Sequence, residues 1–165
     1  MECPTPGRAQ QMNFAAQHCS NCDVLYFVHA DTYPPKSFHS DIQQALDEGA
    51  MLGYFRYRFD SDKILLRFNS YFTRYNGIFA GGGDQTLFIK KSTFEGLNGF
   101  RDELKLMEDF DLVARARQAG YLLRLIPKEA TVSARKYNQN TWLRVNAVTY
   151  GFSYYFTWGC PANAY

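Results

Sequence analysis

The stretch DVLYFVHADTYPP, residues 23–35, decides how this chain is read. Val24 to His29 is an apolar run of strand length, rich in aromatic and β-branched residues. An acidic residue, Asp31, then stands just ahead of Pro34 and Pro35, which close the run. A carboxylate at the mouth of a buried strand has two readings, a turn residue or a group delivered to a ligand. The local sequence leaves them level.

Outward from this strand, helical and extended patterns alternate. GRAQQMNFAAQHC, from Gly7, carries Ala9, Met12, Ala15 and Ala16 at helical spacing. KSFHSDIQQALDEG puts Phe38, Ile42, Ala45 and Leu46 on one face, with Gly49 where a C-terminal glycine belongs. MLGYFRYRF alternates from Leu52 and reads as a strand. SDKILLRFNSYFTRYN reads as a helix capped by Ser61, its apolar face formed by Ile64, Leu65, Phe68 and Phe72. The glycine-rich loop GIFAGGGDQ leads to a strand from Thr86, and KSTFEGLNGF follows as a short helix and turn. LMEDFDLVARARQAG is a helix with Leu106, Met107, Phe110, Val113 and Ala114 on one side, an Asp111–Arg115 pair and Gly120 at its end. YLLRLIP and ATVSAR read as two short strands.

This alternation predicts an α/β fold, a mostly parallel sheet flanked by helices, in one domain over residues 1–165. Ligands of such sheets bind at the carboxyl ends of the strands, where Asp31 lies. Residues 137–165 form an aromatic helical segment of the same domain. Within it Trp142–Trp158 is too short and too polar for a spanning helix. It reads either as a helix lying at a bilayer surface or as a core-packing or dimer helix.

Composition narrows the function classes. Eighteen basic residues against sixteen acidic ones give a net charge of +2, which is no footprint for nucleic acid. The start, MECPTPGRAQQ, has no apolar segment of a signal peptide, so a cytoplasmic chain is expected. Cys19 and Cys22 form a C-x-x-C pair beside His18, but a zinc site wants a second ligand pair at finger-like spacing. Reduced thiols at a helix end are expected instead.

Three acidic points carry the candidate chemistry: Asp31, Asp84 behind Gly81-Gly82-Gly83, and Glu108-Asp109 at a helix start. Each has an ordinary explanation when taken alone. Asp31 suits a turn, the glycines suit a flexible loop, and carboxylates in a first helical turn are favoured by the macrodipole. No Lys-Ser/Thr follows the glycines, so they are not a P-loop.

In order along the chain, GRAQQMN, VLYFVHADT, GDQTLFIKKSTFEGLNGF, LMEDFDLVARARQAG and SARKY resemble the family 2 glycosyltransferases of the GT-A fold. The likeness is to a bacterial subgroup carrying GRAxQMN, FLHADT, GDQ, MEDxxL and SARR, and it runs from Gly7 to Tyr165. The resemblance implies a Rossmann-like sheet and inverting transfer of a hexosyl-type sugar from a nucleotide-sugar donor to an acceptor hydroxyl. It places a D-x-D-like motif on His29-Ala30-Asp31, so that Asp31, with His29 in the place of the first acid, would hold Mg²⁺ or Mn²⁺ against the donor diphosphate. It implies Asp109 as catalytic base, with Glu108 beside it. Arg8, Asn13, Asp84, Gln85 and Arg135 fall on donor-side positions, with Lys136 beside Arg135. A lipid-linked or saccharide acceptor, and a place at the inner face of the membrane, belong to the same expectation.

The family's nucleotide-binding start has no counterpart here: six residues precede Gly7, against the ~30 that a βαβ unit needs. An N-terminally truncated domain is therefore expected, one that completes its sheet by association as a homo-oligomer, and whose activity as this chain is open. The contrasting expectation is a non-catalytic remnant serving as a binding or oligomerisation module.

Overall fold

A computed structural model describes residues 2–72, 85–104, 106–135 and 137. Its elements are α1 (Arg8–His18), β1 (Val24–Phe27), β2 (Thr32–Tyr33), α2 (Phe38–Asp47), β3 (Leu52–Phe59), α3 (Ile64–Phe72), β4 (Leu87–Lys90), α4 (Lys91–Gly96), α5 (Glu108–Gln118) and β5 (Leu123–Val132). The Trp142–Trp158 segment and the glycine cluster with Asp84 lie outside the described residues, as does Lys136.

The strands form one five-stranded sheet in the order β1-β4-β3-β5-β2. β3 and β5 run parallel, while β1 with β4, β3 with β4 and β2 with β5 are antiparallel. The class is thus mixed α/β, and the expectation of a mostly parallel sheet is corrected for the described residues. The physical reason is specific. β1, β3 and β5 do point the same way, as helical crossovers require. But β4 enters between β1 and β3 in the opposite sense, so two potential neighbours are separated by an antiparallel strand.

Both faces of the sheet are covered. Leu87 and Ile89 of β4, with Leu25 and Leu52, pack under α1, α4 and α5 against Phe94, Leu112 and Ala116. Phe88 turns to the other face and packs with Phe55 and Ile126 under Ile42 and Ala45 of α2. This is why the first half of β3, Leu52 to Phe55, is buried at every position and does not alternate in exposure. A smaller cluster seats Leu66 of α3 on Phe59 and Val132. Ile64 and Leu65, expected in the apolar face of that helix, are exposed at 81% and 53%. Leu66 takes their place because α3 starts at Ile64, after a turn in which Leu66 N–H bonds to Lys63 O. On α5, Phe110 and Val113 face inward as expected, but Leu112 and Ala116 complete the buried stripe and Leu106 stays outside.

Two expected short strands are one. β5 runs through Pro127 because the register against β3 shifts at Phe55/Arg56, leaving Pro127 and Lys128 as the extra residues. Cys19 and Cys22, expected as reduced thiols, are paired as a disulfide just after α1, their Cα atoms 5.8 Å apart. That separation falls inside the range a disulfide spans.

One connection positions the site. β1 and β2 stand at opposite edges of the sheet, yet only Val28–Asp31 joins them. A flat five-stranded sheet would set its edges about 19 Å apart, and the strap reaches at most roughly 18 Å. A turn with Thr32 N–H on His29 O shortens it further. The sheet therefore curls, and the strap lies across its end.

Candidate active site

The strap forms one wall of a cavity of about 330 Å³ lined by Phe27, Val28, His29, Ala30, Arg8, Gln11, Met12, Gln85, Leu87, Phe100 and Asp109. Leu87 and Phe100 give it a buried apolar floor; of its polar lining, Gln85 and Asp109 are buried and Arg8 and Gln11 exposed. Each segment arrives for a local reason. Arg8 is the first residue of α1, and Gln11 and Met12, three and four residues on, share its face. His29 follows β1, Gln85 precedes β4, and Asp109 lies in the first turn of α5.

The electrostatics centre on Arg8. Its Nε lies 3.0 Å from Glu108 Oε1, and Nη2 lies 3.2 Å from Nδ1 of half-buried His29. Glu108 is fully buried. The Arg8 contact is an ion pair by distance, yet its angle is poor, and among the described residues neither Glu108 oxygen has a hydrogen bond of good geometry. Asp109 is also buried, and its Oδ1 accepts the Phe110 N–H at 2.9 Å. Met107, immediately before this pair, is held in the left-handed region at φ 66. Such a backbone costs a non-glycine residue on the order of 1 kcal/mol, so the first turn of α5 is fixed against strain.

Arg115 anchors the other side of α5. It pairs with Asp111 at 2.7 Å, as its spacing predicts, and donates to the carbonyls of Leu97 and Gly99. Gln85 is buried and donates to Phe55 O at 3.3 Å, the carbonyl at which the β3–β5 register breaks.

Arg8, His29, Gln85 and Asp109 thus surround one cavity, with Glu108 held behind Arg8. Asn13 is elsewhere: its amide exchanges two hydrogen bonds with the backbone of Phe100 and a third goes to Asp102, so it clamps α1 to the loop before α5. Asp31 and Arg135 are not among the residues that line the cavity. Asp31 O accepts the Ser133 N–H at 3.0 Å, and both side chains are exposed. Gln11 and Phe100 were not expected in the site. The i, i+3, i+4 spacing of Arg8, Gln11 and Met12 is the signal that finds Gln11, whereas Phe100 arrives through tertiary packing alone.

As a cation site, Asp31 supplies an exposed oxygen donor on a pinned backbone, which suits Mg²⁺ or Mn²⁺. His29 fits poorly, because its ring nitrogens face a guanidinium. Among the described residues no group of three or more His, Cys, Asp or Glu side chains is placed to hold a metal ion. No described helix is long and apolar enough to cross a membrane. Comparison with protein-family models and with curated proteins gave no match.

Proposed function

We propose that this chain carries residues of an inverting glycosyltransferase site, moving a sugar from a nucleotide-sugar donor to an acceptor hydroxyl. The observation that carries the reading is the cavity at the carboxyl end of β1. It gathers Arg8, His29, Gln85 and Asp109 from four segments that the sequence motifs single out independently. The common direction of β1, β3 and β5 supports a GT-A-like plan for the sheet.

In this reading an acceptor hydroxyl enters over the apolar floor and gives its proton to Asp109 as its oxygen attacks the anomeric carbon. Attack opposite the departing nucleoside diphosphate inverts that centre. Gln85 and Arg135 answer the donor's charge and hydroxyls. A divalent cation at Asp31, when bound, stabilises the leaving diphosphate. A lipid-linked or saccharide acceptor and a cytoplasmic site at the membrane's inner face complete the proposal.

Titration calorimetry with UDP- and GDP-sugars, with and without Mn²⁺, tests it; a folded chain that binds no donor sinks the catalytic reading. Asp109→Asn is expected to lower turnover by roughly 100-fold or more while leaving donor affinity in place. Turnover retained in that variant refutes the base.

A second reading, a binding or oligomerisation module, draws on one observation. Among the described residues β1 is an edge strand, whose outward N–H and C=O groups are a template for another strand. A concentration-dependent homo-oligomer by light scattering, without donor binding, is its expected signature.

A further inference from the structure

We infer that Arg8 is a positioning residue: by neutralising the buried Glu108 carboxylate it fixes the first turn of α5, and with it the aim of Asp109 into the cavity. The inference deepens the function proposed above and rests on it only for the role of Asp109.

Three observations converge. Glu108 is 0% exposed and its two oxygens lack hydrogen-bond partners among the described residues, so its charge depends on the Arg8 guanidinium 3.0 Å away. A buried carboxylate stripped of its cation is strongly unfavourable. The turn it sits on has somewhere to go, because Met107 is held in a left-handed conformation and Leu106 beside it is 57% exposed. Without Arg8, the first turn relieves the buried charge by releasing Met107 and swinging Glu108 towards water. Asp109 is the next residue and moves with it. Arg8 is itself tethered by His29 at the strap, so the carboxylate pair is referenced to the end of β1 as well as to α1.

Amide hydrogen exchange tests this without requiring turnover. The reporter is the Asp111 N–H, which bonds to Met107 O at 3.1 Å; the internal control is the Ala119 N–H on Arg115 O at the far end of α5. Arg8→Ala is expected to speed exchange at Asp111 on the order of 100-fold and leave Ala119 unchanged. Arg8→Lys restores protection in part. Arg8→Ala combined with Glu108→Gln exchanges as Glu108→Gln alone does, because no buried charge remains. Wild-type protection in Arg8→Ala overturns the inference, and so does a double variant that exchanges as fast as Arg8→Ala. If Arg8→Ala does not fold, the double variant must; its failure to fold is equally fatal. Where transfer is measurable, Arg8→Ala lowers kcat with the donor KM within about threefold of wild type. A raised KM with kcat intact overturns positioning and makes Arg8 a donor contact. Absence of any transfer refutes the proposed function and leaves the exchange result standing.

Discussion

Gly53 shows how much one missing side chain decides. A Cβ there would lie 2.2 Å from Arg124 O and 2.6 Å from the Phe88 ring. The strands β3 and β5 and the core under α2 meet at that point. Gly53→Ala is expected to cost roughly 2–3 kcal/mol of stability, read as a lower urea midpoint at unchanged m-value. Gly99 has a related role: at φ 64 it lets Asn13 Oδ1 approach to 2.7 Å of where a Cβ would stand. At this scale the sequence was partly legible. Asp109, Arg8 and Gln85 belong to motifs that a reader can pick out, and they do meet. Asn13 belongs to the same motif but spends its amide on the loop before α5, because two bonds to the Phe100 backbone and one to the Asp102 carboxylate are available to it there. Phe100 and Gly53 carry no local signature, since what fixes them is a neighbour distant along the chain.

Elements were legible where a period dominates and obscure where tertiary packing sets the face. α1, α2 and α5 are where their spacing puts them, and Gly49 and Gly120 end their helices with positive φ. The inward face of α3 was misread because two adjacent leucines and an isoleucine offer several equivalent stripes. β5 was split in two because Pro127 ordinarily interrupts a strand, and only the bulge against β3 lets it continue. Across that bulge, Lys128 Nζ donates to Asp41 Oδ1 at 2.6 Å and ties β5 to α2, with Ser37 bonding the other oxygen at 2.8 Å. Burial alone would raise the Asp41 carboxyl, but Lys128 and Ser37 together hold it below its ordinary value. A depressed folded pKa contributes stability above the unfolded carboxylate pKa of about 4 and loses it as pH falls through the folded value. Asp41→Asn should therefore be less stable than wild type by ~0.5 kcal/mol at pH 7, solvent screening allowed for. The two should converge as acid is added. Thermal melts across that range check it, and a constant difference down to the acid limit contradicts it.

At the scale of the whole molecule, alternation of helices and strands correctly announced an α/β layering, since burial on both faces leaves a continuous apolar signal. Strand order was hidden. Nothing in the LFIK of β4 says that it slots between β1 and β3, because antiparallel and parallel partners demand the same apolar side chains. The resulting topology is rich in distant pairings: Val24 with Lys90, and Thr32 with Val132. Such sheets fold slowly, and the pairing of β3 with β4, nearest in sequence, is the cheapest to form first. Phe88→Leu in β4 is expected to slow refolding, whereas Val132→Ala at the β2 edge should act chiefly on unfolding. Stopped-flow chevrons separate the two, and a Val132→Ala effect confined to the refolding limb contradicts the order.

The strap Val28–Asp31 gives that order a further meaning. Without it, the two edges would be two independent searches through a long chain. Because it is so short, docking β1 on β4 brings Thr32 close to the end of β5, and the second search becomes local. The wall of the cavity is thus also a stitch: one closure commits the other, and the site is assembled in the step that completes the sheet.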